Sequence, residues 1–108
     1  MIFSDPRVHA VFHTDRMGKS FLSQGNYLYA GLNSLEPGQE HAAHVHPDQD
    51  KLYVVLQGVA DVTVGNESSR LGTGAVVLAT AGVSHSIKNP GPERLIVLVV
   101  FSPPPRKF

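Results

Sequence analysis

The residues best able to do chemistry here are histidines. There are six in 108 residues: His9, His13, His41, His44, His46 and His85. His44 and His46 flank Val45. Residues i and i+2 of an extended strand point to one face, about 6–7 Å apart. Two neutral imidazoles so placed can reach one metal ion at ~2.0–2.1 Å each. Carboxylates follow at once in the run His46-Pro47-Asp48-Gln49-Asp50-Lys51. Pro47 opens a turn, and the returning strand is expected to bring one acidic or amide side chain back beside the histidine pair. His85 stands far along the chain. Two histidines, a carboxylate and a third histidine would leave coordination positions open, a donor set suited to Fe, Mn, Ni, Cu or Zn. The pair alone is weak evidence, because an i, i+2 pair arises by chance and half-buried imidazoles are commonly satisfied by backbone groups.

The elements that must position these residues are short. Ten glycines and eight prolines punctuate brief apolar runs. Residues 27–32, 52–56, 59–64, 75–79 and 95–101 each read as a strand, and each is followed by turn chemistry. Ala60, Val62 and Val64 share one face of their strand, and Gly65-Asn66 suits a tight hairpin. The pattern is all-β, a sandwich or barrel. Residues 95–101 do not alternate, so both faces of that strand are expected to be covered, one by the domain's core and the other by a second copy of the chain. Pro103-Pro104-Pro105 ends it, since proline cannot feed a sheet ladder. Residues 1–23 fit either a short helix or an edge strand. Residues 102–108 form a Pro-rich tail, with Arg106, Lys107 and Phe108 expected to be mobile.

At the histidines the chain resembles the cupin superfamily, whose members carry two short motifs. The first is Gly, five residues, His-x-His, three or four residues, Glu, six residues, Gly. Gly38, His44, His46 and Gly58 stand at those places. The second is Gly, five residues, Pro-x-Gly, two residues, His, three residues, Asn, and Gly74, Gly82, His85 and Asn89 match it. The resemblance covers residues 38–89. It implies one domain over residues 1–108, a double-stranded β-helix (jelly-roll) barrel, and a divalent transition metal inside it. Small cupins generally form homodimers. The fold hosts many chemistries, so the motifs do not name a reaction.

Two departures stand out. Thr80 replaces the second motif's Pro. In the first motif, counting back from Gly58 puts Lys51 in the Glu slot, and counting forward from His46 puts Asp50 there. A protonated ammonium cannot ligate a cation. The expected ligand set is therefore His44, His46, Asp50 and His85, with Gln49 and Asp48 next in line for the carboxylate's place. Lys51 is either solvated or enters the cavity to bind an anion. His41 is expected at the rim, and Asn89 is expected to bond its own turn. Tyr29, Tyr53, Gln57 and Phe101 are candidates to line a substrate pocket, with Tyr27 beside them.

Composition narrows the rest. Nine Lys+Arg balance nine Asp+Glu, so there is no basic excess for nucleic acid or an anionic membrane. No apolar run is long enough to span a bilayer as a helix. Cysteine is absent, which excludes disulfides, zinc–thiolate sites and thiol nucleophiles. A cytoplasmic location is expected. Two functions follow. One is a metal-dependent cupin, dioxygenase, isomerase or decarboxylase in type, acting on a small oxygen-bearing metabolite. The other is a non-enzymatic module holding a sugar or anionic metabolite in the barrel.

Overall fold

The computed structural model describes residues 1–105. Among the described residues nine strands run β1 (Gly18–Gln24), β2 (Tyr29–Leu35), β3 (Glu40–His44), β4 (Asp50–Gln57), β5 (Ala60–Val64), β6 (Glu67–Leu71), β7 (Val76–Ala79), β8 (His85–Lys88) and β9 (Leu95–Ser102). They form a five-stranded sheet, β1-β2-β9-β4-β7, and a four-stranded sheet, β3-β8-β5-β6. Every recorded pairing is antiparallel. Among the described residues, no helix is long and apolar enough to cross a membrane.

Alternation explains what lies between the sheets. β4 buries Lys51, Tyr53 and Val55 and leaves Leu52, Val54 and Leu56 half-buried on its outer side. β5 buries Ala60 and Val62, and β8 buries His85 and Ile87. These side chains meet Leu35, Leu95, Val97 and Val99 in one core. Burying a Val, Leu or Ile side chain is worth about 1.5–3 kcal/mol, so this layer carries most of the fold's stability. β6, Glu-Ser-Ser-Arg-Leu, is a polar edge strand recruited by the Gly65 turn rather than by burial.

The N-terminal segment takes both expected forms. Pro6–His9 is one 3-10 turn, capped where the Asp5 side chain accepts from Arg7 N at 3.1 Å, and β1 is an edge strand. Between them Ala10 and Phe12 pack on Leu22, Leu32 and Ile96. The outer face of β9 is thus covered at Ile96 by the chain's own N-terminal segment. Leu98 and Val100, further along the same face, are half-buried. β9 ends at Ser102, where the proline run begins. The expectation for Arg106, Lys107 and Phe108 lies outside the described residues.

Two motif residues lock the strand ends. Gly58 has φ +88°, and a Cβ there would stand 2.5 Å from Arg94 O, so only glycine fits the turn after β4. Asn89 donates from Nδ2 to Leu35 O (2.9 Å) and Glu93 O (2.8 Å) and accepts at Oδ1 from Gly91 N (2.8 Å). The amide fastens the end of β8 to the end of β2, across the two sheets, and to the turn that follows β8.

Candidate metal centre

His44 closes β3, and its register partner on β8 is His85. His46 lies just past the strand. Its carbonyl accepts from Gly82 N at 3.0 Å, which ties it to the turn before β8. The convergence expected of three histidines from two distant segments is present. Ring centroids are 4.1 Å apart for His44 and His85, 4.9 Å for His44 and His46, and 5.4 Å for His46 and His85. One nitrogen from each lies within 4.8 Å of the others.

The tautomers suit a cation. His44 Nδ1 donates to Ala42 O at 2.8 Å, and His85 Nδ1 donates to Val83 O at 3.0 Å. A carbonyl accepts, so each Nδ1 keeps the proton and each Nε2 keeps its lone pair. Both Nε2 atoms are buried and have no partner among the described residues. A backbone carbonyl on the distal nitrogen is the usual way a metal-binding imidazole is oriented. Burial also keeps the rings neutral. It pushes His46 down to about 4, helped by His44 and Lys51, and it outweighs the backbone bonds that would raise His44 and His85. A neutral imidazole binds metal without first losing a proton.

Asp50 does not join them. β4 pairs β9 without a break at this end, Asp50 with Ser102 and Lys51 with Phe101. The register break in this pairing falls between Val55 and Gln57. Position 51 therefore shares the inner face with Tyr53 and Val55, and Asp50 points outward, where Oδ1 accepts from Ala81 N at 2.8 Å. That corrects the expected fourth ligand. Nor do its substitutes reach the imidazoles. Gln49 Nε2 donates to Pro103 O at 3.0 Å, and Asp48 is exposed.

Lys51 takes the inward slot. It is 1% exposed, with Nζ 4.7 Å from the ring centroid of Tyr53 and 4.9 Å from that of Phe101. Burial first, then Lys19, lowers it to about 8, so it stays an ammonium at neutral pH. His41, expected at the rim, is half-buried and stacks on His44 at 4.0 Å. Burial, with His44 and Lys51 behind it, pushes it to about 3, and its Nδ1 is buried without a partner among the described residues.

A cavity of about 140 Å³ is lined in part by His41, His44, His46 and Lys51. Two of the four pocket candidates line it: Tyr29 and Phe101, rings tilted at 5.9 Å. Tyr53 belongs to the core instead, 0% exposed and 6.1 Å from His85, with its hydroxyl unpartnered among the described residues and its pKa raised by burial. Gln57 sits at the far end of β4, with Oε1 3.5 Å from Arg7 Nη1, and does not line the cavity. Tyr27 is exposed before β2. Lys19 and Asn33 also line the cavity and carried no sequence signal, because their strands could not be phased without a partner strand.

The family model for the cupin domain matches residues 31–101, and the chain belongs to that family. Its barrel is the double-stranded β-helix. An uncharacterized protein of Streptomyces coelicolor is 42% identical over 84 residues, 78% of this chain and 77% of that one. The tetracenomycin polyketide synthase protein TcmJ of Streptomyces glaucescens is 32% identical over 75 residues, 69% of this chain and 50% of its own length. Among solved structures, TT1209 from Thermus thermophilus superimposes with a TM-score of 0.90 at 33% identity, over 97% of this chain and all of that one.

Proposed function

We propose that this is a metal-binding cupin that holds one divalent first-row ion on His44, His46 and His85 and offers it to a small ligand in the adjoining cavity. The observation that carries the reading is the pair of buried, lone-pair-bearing Nε2 atoms on His44 and His85 that have no other partner among the described residues. Three histidines with the remaining positions open are a donor set that catalytic metal sites use. When bound, such an ion supplies Lewis acidity or a site for O2 activation, compatible with dioxygenase, isomerase or decarboxylase chemistry. The chain's own part is to orient the imidazoles through Ala42 O and Val83 O, and to wall the ligand with Tyr29 and Phe101. The test is metal analysis of protein purified without chelator, followed by titration with Zn(II) and Co(II). Near-stoichiometric uptake that is lost in His44→Ala and His85→Ala is expected. Less than about a tenth of an equivalent, with no gain on reconstitution, overturns the reading.

A second reading has its own observation. Lys51 stands where an acidic ligand would face the imidazoles. Its ammonium favours a module that binds a small ligand without catalysis, and protein that takes no metal yet binds a ligand in the cavity would decide for it.

We also propose a homodimer through the outer face of the five-stranded sheet. Leu52 pairs with Leu78 and Val100 there, and Val54 pairs with Val76 and Leu98. Leu78 is 56% exposed and Val76 63%. Zero formal net charge removes the long-range repulsion between copies.

A further inference from the structure

The cavity's lining has one sign of charge. Lys19 and Lys51 both face it, His41, His44 and His46 form another part of its wall, and none of its lining residues is an Asp or Glu. The carboxylate nearest in sequence, Asp50, is turned outward onto Ala81 N. We propose that the ligand of this cavity is a small carboxylate, anchored on the Lys51 ammonium, with Lys19 as a second cation. The inference rests on the reading of this cavity as the ligand site, and it goes beyond that reading by naming the ligand's chemistry.

A buried ammonium without an anionic or hydrogen-bonding partner is strongly unfavourable. Among the described residues, Lys51 Nζ has no hydrogen bond and no ion pair, and the nitrogen, on an otherwise buried side chain, opens on the cavity. The ring faces of Tyr53 and Phe101 are its recorded compensation. Cation–π contacts offset part of the lost hydration but use none of the three N–H donors. A carboxylate would use them.

Asn33 sits beside this group, 4% exposed and lining the same cavity, with no recorded side-chain hydrogen bond among the described residues. Its amide adds an uncharged donor for a second oxygen. Tyr29 and Phe101 give the same space flat apolar walls. The volume, about 140 Å³, is below the ~300–1,000 Å³ of pockets for drug-sized molecules, so the acid is small. Charge balance points the same way. Three neutral imidazoles would leave a dication uncompensated, and Lys51 adds to the excess. A carboxylate reduces both.

The experiment is calorimetric titration of the full chain with malonate and with malonamide, its uncharged analogue of similar shape. It is run on chelator-treated and Zn(II)-loaded protein, for wild type, Lys51→Met and Lys19→Gln. Zn(II) affinity is measured separately in carboxylate-free buffer. Malonate should bind wild type at least about tenfold more tightly than malonamide, and Lys51→Met should lose about tenfold or more of the malonate affinity. Zn(II) affinity of Lys51→Met should hold or rise. Lys19→Gln should weaken malonate less. The proposal is overturned if malonate and malonamide bind alike, if neither binds, or if Lys51→Met binds malonate as wild type does. Should Lys51→Met fail to fold, Lys51→Gln and the wild-type comparison decide. Zn(II) uptake with Lys51-independent malonate binding sinks this inference alone. Lys51-dependent malonate binding without Zn(II) uptake sinks the metal reading alone.

Discussion

His41 and His44 stand three positions apart on one strand, yet their rings stack at 4.0 Å. An unbroken strand would send them to opposite faces. The β3–β8 ladder slips between them: His41 pairs with Ile87 and His44 with His85, so three steps on β3 answer two on β8. The extra residue is a bulge, and it puts both imidazoles on the inner face. His41 is outside the set of nitrogens that converge within 4.8 Å, and its stacking on His44 would make it a positioning residue in the proposed site. His41→Ala should therefore weaken Zn(II) binding by about 10-fold, in the range of outer-shell changes. His44→Ala, His46→Ala or His85→Ala should weaken it far more. Competition titration against a chromophoric chelator separates the two classes. Equal losses for His41 and His85 would make His41 a ligand.

Positions 50 and 51 give opposite expectations. Lys51→Glu puts a carboxylate on the inner face among neutral imidazoles and removes a positive charge, so Zn(II) affinity should rise by about tenfold or more. Asp50→Asn keeps an acceptor for Ala81 N and faces solvent, so metal affinity should not change. Asp50→Ala loses that bond and should cost about 1 kcal/mol of stability, read from denaturant unfolding. A drop in metal affinity in Asp50→Asn would return Asp50 to the ligand set.

The fate of Asp50 shows where the sequence stops being legible. The all-β pattern could be read from types and spacing, and the resemblance to the cupin motifs supplied the barrel, the motif glycines, Asn89 and the meeting of His85 with His44 and His46. Phase could not. Leu52, Val54 and Leu56 are as apolar as Tyr53 and Val55, so hydrophobicity did not say which set faced inward, and with it whether Asp50 or Lys51 entered the barrel. Pairing with β9 decides it. His41 was hidden for a related reason, because a bulge is a property of two strands. β1 and β6 gave no signal, the first because its pattern is irregular and the second because it is polar.

The outer sheet face carries the dimer prediction. Leu78 and Val76 are exposed beside the half-buried Leu52 and Val54. Wild type should sediment as a dimer at micromolar concentration. Leu78→Lys would bury a charge in that interface and should shift it to monomer, while leaving Zn(II) uptake intact because Leu78 faces away from the barrel interior. A wild type that sediments as a monomer removes the dimer reading.

Acid should unfold the metal-free protein through the same imidazoles. His41 is held at about 3 and His46 at about 4, and His44 and His85 also lie below their ordinary value, in each case chiefly by burial. In the unfolded chain each titrates near 6.5. Between those limits the unfolded chain binds more protons than the folded one, so stability falls as pH falls. The contribution is complete above about 6.5 and is lost progressively toward 4 and then 3. The charges that act on this cluster are Lys51 and Lys19. Both oppose protonation of the rings in the fold. Denaturant unfolding in chelator from pH 8 to pH 4 should show this decline, with a shallower slope in His46→Asn. Saturating Zn(II) should displace the decline to lower pH, since metal and proton compete for the same lone pairs. Stability independent of pH across that range would mean that the rings titrate in the fold as they do in the unfolded chain, and would remove the claim that burial holds them neutral.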